Sequence, residues 1–269
     1  MRAVRRALLP IVLLAVLPTA ATAWSVETMT ALSRDARRLL PRSLSRLLGE
    51  REPQIQIEIG RFPPDIARAL AADIPAGRLR PDTLAALDYE TARVVELLQE
   101  GRVSEGLVRL GGLLRVPADL ADPILVGVPG GWPPGVSREY YALFDANLEK
   151  VPVVLEDTEA LEVARADLPA LWQSILERSR PQAVVIRSEF FREGRLVDHR
   201  GLDYRSPAWA VASLSYSRAV TGIAATWLAV WREARGDTTG MRRPREVSPR
   251  DREITAETTI PENRRNDDR

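Results

Sequence analysis

Apolar residues recur at the spacing of an α-helix along most of this chain, and this periodicity restricts the possible folds more than any other feature. The longest such segment covers residues 207–234, and it starts where Ser206 can act as an N-cap before Pro207 at the first helical position. Other segments with a helical pattern cover residues 26–48, 83–99, 104–119, 137–150 and 158–178. The sequence therefore predicts an all-α fold built from a single multi-helix domain.

Loops are predicted where the helical pattern is interrupted. Pro63-Pro64 and the glycine- and proline-rich segment 130–135 cannot continue a helix. Residues 181–200 are compatible either with a helix or with a short hairpin. Further N-caps are predicted at Asp82, Ser104 and Ser137.

The first 23 residues have the features of a secretory signal peptide. A basic start with Arg2, Arg5 and Arg6 precedes a mostly apolar segment, and 21–23 (Ala-Thr-Ala) form a small-residue cleavage site. The alternative is an uncleaved membrane anchor, but the apolar segment is shorter than the ~20 residues of a membrane span and is interrupted by Pro10. We expect a periplasmic or secreted protein with no transmembrane anchor after cleavage.

Composition separates the rest of the chain into one folded unit and a tail. Residues 24–235 are long enough to bury one core. Residues 236–269 hold eight Arg, eight Asp or Glu and no aromatic residue, so this tail is predicted to be disordered. Without the three signal arginines the 38 basic residues become 35, against 37 acidic ones, which gives no electrostatic reason to expect a nucleic acid partner. Because the chain has no cysteine and one histidine, its available metal ligands are mainly oxygen atoms.

Three short segments, each with at least one acidic residue, show a characteristic spacing. They are Trp24-Ser-Val-Glu-Thr-Met29, Arg115-Val-Pro-Ala-Asp119-Leu-Ala-Asp-Pro-Ile-Leu125 and Tyr141-Ala-Leu-Phe-Asp145. The spacing resembles that of the metal-binding segments of the zinc-dependent phospholipase C and fungal single-strand nuclease family. The pattern of that family is Trp-x4-His, then His-x3-Asp-x5-His, then His-x3-Glu/Asp. The resemblance covers residues 24–235 and implies an all-α fold of the phospholipase C/nuclease type, with zinc ions that hydrolyse phosphoesters in a cleft between helices.

The resemblance also implies a role for each matched residue. Trp24, exposed as the N-terminus by signal cleavage, matches a zinc ligand that binds through its amine and carbonyl groups. Asp119 matches the carboxylate that bridges two zinc ions, Asp145 matches a ligand of the remaining zinc, and Asp65 is a weaker match for an early aspartate. Four other positions hold residues that replace family histidines: Met29, Arg115, Leu125 and Tyr141. A fifth histidine position falls near residues 87–90.

These replacements remove the metal-binding chemistry. Leucine has no lone pair, methionine is a soft thioether, and Arg115 brings a positive charge to a position where a cation should bind. We expect Arg115 to form an ion pair with Asp119 instead. The predicted function is therefore that of an exported, non-catalytic binding or structural relative without a cofactor, with an envelope protein or a lipid head group as its partner. The alternative is a residual metal-dependent phosphoester hydrolase that uses Asp65, Asp119 and Asp145 with a hard ion such as Ca²⁺ or Mg²⁺.

Simpler roles are also compatible with these residues. Asp119 and Asp145 can be solvated or helix-capping acids, and Trp24 can pack in the core against the first helix. His199 follows Asp198 in a polar segment. This histidine is expected to be an exposed loop residue, although a histidine beside an aspartate could also serve as a general base.

Overall fold

The computed structural model describes residues 24–155 and 159–240. These residues form eleven α-helices, four short 3₁₀ turns and one two-stranded hairpin, which confirms the predicted all-α class. The predicted signal peptide and the tail beyond residue 240 lie outside the described residues. No helix in the described part is long and apolar enough to cross a membrane.

The helices follow one another with short connections. They are α1 (Val26–Arg37), α2 (Arg42–Gly49), α3 (Glu52–Gly60), α4 (Pro64–Ala76), α5 (Pro81–Gln99), α6 (Val103–Gly112), α7 (Arg115–Ala121), α8 (Pro123–Val126), α9 (Val136–Asp145), α10 (Leu168–Phe190) and α11 (Pro207–Glu233). The 3₁₀ turns cover Leu148–Lys150, Glu159–Glu162, Arg165–Asp167 and His199–Gly201. Strands β1 (Phe191–Arg192) and β2 (Arg195–Leu196) pair antiparallel, with Phe191 opposite Leu196.

Helix α11 is the centre of the fold, because it packs against α1, α7 and α10. All its residues from 219 to 231 are buried, as expected for a helix that is apolar on every side. Gly222 lets α7 approach closely, since a Cβ atom at this position would lie 2.9 Å from the Cβ of Pro117. The indole N–H of Trp227 donates to the carbonyl of Leu110 at 2.7 Å. The first of these contacts positions α7, the helix that carries Arg115 and Asp119, and the second positions α6, which precedes it.

Several predicted helix boundaries are corrected by the structure. The single pattern over residues 26–48 is two helices separated at Pro41, and α3 and α4 were not predicted. The ambiguous segment 181–200 contains both alternatives, because α10 continues to Phe190 and the hairpin follows it. The N-terminal part of the predicted helix 158–178 is instead a pair of 3₁₀ turns before α10.

The predicted N-cap at Ser206 is confirmed, since its hydroxyl accepts a hydrogen bond from the backbone N–H of Trp209 at 3.2 Å. The other three N-cap predictions are wrong, because each helix begins before the predicted cap. Pro81 rather than Asp82 opens α5, Ser104 lies inside α6, and α9 starts at Val136 after Gly135, whose φ of 88° suits glycine.

Candidate functional site

A pocket of about 180 Å³ opens between α1, α3 and α7. It is lined by Trp24, Val26, Met29, Gln56, Ile59, Gly60, Arg115 and Asp119. Four of these residues stand at matched positions of the family pattern: Trp24, Met29, Arg115 and Asp119. The fold therefore brings together residues that are separated by about ninety positions in the chain.

Trp24 forms one wall of the pocket and is also part of the hydrophobic core. Only 4% of its surface is exposed, and its indole N–H donates to the carbonyl of Ala118 at 3.0 Å. Its ring packs edge-on against Phe144, with ring centroids 5.0 Å apart, and also contacts Tyr140 and Tyr141. The side chain of Trp24 therefore packs in the core, which is the simpler of the two roles that the sequence allows.

Arg115 and Asp119 form the ion pair that was predicted from the sequence. They lie one turn apart on α7, and Nε of Arg115 donates to Oδ2 of Asp119 at 3.2 Å. The guanidinium also donates to the carbonyl of Ile59 at 3.5 Å and lies 6.0 Å from the ring centre of Phe62. Burial raises the pKa of Asp119 to about 6, although the neighbouring Arg115 acts in the opposite direction.

Asp145 and Asp65 are not among the residues that line the pocket. Asp145 is the last residue of α9, and its Oδ1 accepts hydrogen bonds from the hydroxyls of Ser25 and Thr28, both at 3.0 Å. It therefore fastens α9 to the start of α1. Asp65 is exposed in the first turn of α4, and no hydrogen bond or ion pair joins it to Asp119 or Asp145 in the described part of the chain.

A buried pair beside the pocket was not predicted from the sequence. Asp122 is fully buried, and its Oδ2 accepts a hydrogen bond from the hydroxyl of Tyr141 at 2.8 Å, while its Oδ1 accepts one from the backbone N–H of Ile124 at 2.8 Å. Burial raises the pKa of Asp122 to about 7, and the charge of Asp119 adds to this effect. The Asp-Pro step at Asp122 and Pro123 is a typical helix start and could have marked this carboxylate as an N-cap.

The residues at these positions do not fit a zinc centre. Met29 offers only a thioether and Arg115 is a cation, while Leu125 packs half-buried against the core and Tyr141 is hydrogen-bonded to Asp122. Among the residues that the structure describes, Asp65, Asp119 and Asp145 do not form a group with metal-ligand spacing. Their assignment as remnant ligands stays a prediction.

His199 was expected to be an exposed loop residue, and this expectation is corrected by the structure. Its side chain is half-buried, and its Nδ1 lies 2.8 Å from Oε2 of Glu139, which also accepts the backbone N–H of His199 at 3.1 Å. The hydrogen bonds from His199 and Arg138 lower the pKa of Glu139 to about 2. Glu139 lies sixty residues before His199, so no local sequence pattern indicates this pairing.

No family model matches the chain, and no curated protein and no solved structure matches it significantly. The resemblance to the phospholipase C and nuclease family therefore depends on motif spacing within this sequence. The geometry of the pocket is an independent basis for considering function.

Replacing Arg115 by alanine is expected to lower the free energy of unfolding by about 1–3 kcal/mol at pH 8. The loss lies between that of an exposed ion pair and that of a fully buried one, because Asp119 is buried whereas about a third of the Arg115 side chain is exposed. The loss should shrink at pH 5, where Asp119 is protonated and needs no cation.

Urea unfolding at both pH values measures this difference. Arg46→Ala is a matched control, since Arg46 pairs with Glu50 at the same i,i+4 spacing on the surface and should cost at most ~1 kcal/mol. An Arg115→Ala protein that is as stable as the parent at pH 8 would show that the pair does not compensate the buried charge. Arg115→His should lose less than Arg115→Ala if an added divalent ion can replace the missing charge.

Proposed function

We propose that this chain is an exported, non-catalytic binding protein whose pocket between α1, α3 and α7 takes a small anionic amphiphile. The ligand class is a lipid head group bearing a phosphate or carboxylate, together with the first part of its alkyl chain. The observation that carries the proposal is the presence of the Arg115 guanidinium in an otherwise largely apolar pocket.

The polar side of the pocket suits an anion. Arg115 uses Nε for Asp119 and Nη1 for Ile59, whereas its Nη2 makes no hydrogen bond to the residues that the structure describes. This nitrogen can donate to a phosphate or carboxylate oxygen, for which the guanidinium is well suited. Competition between Asp119 and the ligand for the same guanidinium keeps the expected affinity moderate.

The apolar side of the pocket suits an alkyl chain. Trp24, Met29 and Ile59 supply apolar walls, and burial of a chain against them is favoured by about 25 cal/mol for each Å² removed from water. Val26, which also lines the pocket, is 69% exposed and extends this apolar lining to the surface. A volume of about 180 Å³ is below the ~300 Å³ at which pockets for drug-sized ligands begin, so a single chain is favoured over a bulky ligand.

The proposal is tested by titrating the mature protein with dodecyl phosphate below its micelle concentration in a calorimeter. We expect one binding site, and Arg115→Gln should weaken binding by about tenfold or more, which corresponds to ~1.4 kcal/mol. Dodecyl maltoside carries no charge, so it should bind the parent and Arg115→Gln equally. Arg46→Gln is the control for a general loss of positive charge, because Arg46 is exposed on α2.

Two results would contradict the proposal. The first is binding of dodecyl phosphate that Arg115→Gln leaves unchanged. The second is hydrolysis of bis(p-nitrophenyl) phosphate by the parent that is lost in Asp119→Asn, since this would favour the alternative of a residual phosphoester hydrolase.

A further inference from the structure

Outside the pocket, one group of side chains has the composition and spacing of metal ligands. Glu139 on α9, Asp198 and His199 each offer one ligand atom, and these atoms lie within 4.8 Å of one another. None of the three lines the pocket beside Trp24. We propose that they form a mononuclear site for a divalent first-row metal ion such as Zn²⁺ or Co²⁺.

Two of the three distances between the ligand atoms are close to those that a small ion requires, and the third, between the Glu139 and Asp198 oxygens, is at most 4.8 Å. Nδ1 of His199 lies 2.8 Å from Oε2 of Glu139 and 3.5 Å from Oδ1 of Asp198. Ligands that bind zinc tetrahedrally at 2.0–2.1 Å are about 3.3 Å from one another. The His199–Glu139 separation has to widen by a few tenths of an ångström, and the His199–Asp198 separation already matches.

The surroundings hold these ligands in position. Asp198 caps the 3₁₀ turn that contains His199, since its carboxylate accepts the backbone N–H of Arg200 at 2.8 Å. Arg138 donates to Oε1 of Glu139 at 2.8 Å, whereas Oε2 accepts the backbone N–H of His199 and faces Nδ1 of His199, so Oε2 is the oxygen that would meet an ion. Hydrogen bonds of this kind orient the ligands in metal sites. The positive charge of Arg138 opposes a cation, so the site is expected to bind an exchangeable ion.

A metal ion here would link two parts of the domain. Asp198 and His199 belong to the segment that follows the hairpin, whereas Glu139 belongs to α9, next to Tyr140 and Tyr141 in the aromatic cluster around Trp24. The ion would join the segment 197–206 to α9. The open side, where Asp198 is exposed, leaves space for water as a further ligand.

The site is tested with tag-free mature protein, prepared without metal and titrated with Co²⁺ while its visible absorption is followed. We expect one equivalent to bind, and Zn²⁺ should displace it and raise the melting temperature. His199→Gln should weaken binding at least tenfold and abolish the rise in melting temperature. Glutamine is close to histidine in size, so this variant removes the ligand nitrogen with little change in packing.

Asp119→Asn and Asp145→Asn are the matched controls, because both residues belong to the resemblance motifs, and they should bind the ion as the parent does. Failure to bind one equivalent of Co²⁺, or binding that His199→Gln leaves unchanged, would overturn the site. Binding that is lost in Asp119→Asn but retained in His199→Gln would also overturn it and would contradict the metal-free pocket of the proposed function. Glu139→Gln, with its fold checked by circular dichroism, should reproduce the loss seen in His199→Gln.

Discussion

Replacing Trp24 by alanine is expected to lower the free energy of unfolding by about 3–5 kcal/mol, which is the usual range for a buried tryptophan. The ring is almost completely buried and packs against Phe144, Tyr140 and Tyr141, so its loss leaves a cavity in an aromatic cluster. The indole N–H also satisfies the carbonyl of Ala118 on α7. The change therefore removes the side chain that joins the start of the described chain to both α7 and α9.

Urea unfolding of three variants measures this effect. Trp24→Phe keeps most of the packing and loses the hydrogen bond to Ala118, so it should cost roughly 1 kcal/mol. Tyr204→Ala is the control for loss of an exposed aromatic ring, because Tyr204 is 69% exposed, and it should change stability by less than about 0.5 kcal/mol. If Trp24→Ala were as stable as Tyr204→Ala, the side chain of Trp24 would have no structural role and the packing described above would be refuted.

The features that were predicted from sequence are those that local signals determine. Helix α11 was predicted almost to its last residue, because Ser206 and Pro207 define its start and apolar residues occupy its whole circumference. Helix α3 was not predicted. Its isoleucines alternate as in a strand, but Ile55 is fully buried while Ile57 is 55% exposed, so packing against α6 overrides the local pattern.

The contacts of the candidate site were predictable only where the local sequence determines them. Arg115 and Asp119 lie one helical turn apart, so their ion pair follows from the sequence once α7 is predicted to be a helix. Asp122 lies between α7 and α8, and Tyr141, nineteen residues later, lies on α9, so their hydrogen bond depends on how the chain turns between α7 and α8. Contacts of that kind depend on tertiary packing and leave no periodic signal in the chain.

The buried carboxylate of Asp122 is expected to make the protein less stable as the pH rises from about 4 to 7. The pKa of Asp122 in the folded protein is about 7, well above the ordinary value of 3.8, so the folded state holds a proton that the unfolded state releases across this range. Each pH unit in this range lowers the free energy of unfolding by up to ~1.4 kcal/mol. Asp119 acts in the same direction up to about pH 6, whereas Glu139, whose pKa is lowered from 4.5 to about 2, acts in the opposite direction mainly below about pH 5.

Asp122→Asn removes this titrating group, so comparison with the parent measures the contribution of Asp122 to the pH dependence of stability. The Oδ1 of asparagine can still accept from the N–H of Ile124, and the hydroxyl of Tyr141 can reverse its role and accept from Nδ2. Relative to the parent, the variant should therefore gain about 4 kcal/mol between pH 4 and pH 8, and the gain should level off above pH 7.

Tyr141→Phe keeps the carboxylate of Asp122 and removes the hydroxyl that donates to it. It removes a hydrogen bond that stabilises the charged form of Asp122, so its loss of stability should be larger at pH 8 than at pH 5. Urea unfolding of the parent and both variants at unit steps of pH gives the two difference curves. A difference between Asp122→Asn and the parent that stays constant over this range would mean that Asp122 does not titrate there. In that case the buried carboxylate would remain charged through contacts other than those with Tyr141 and Ile124.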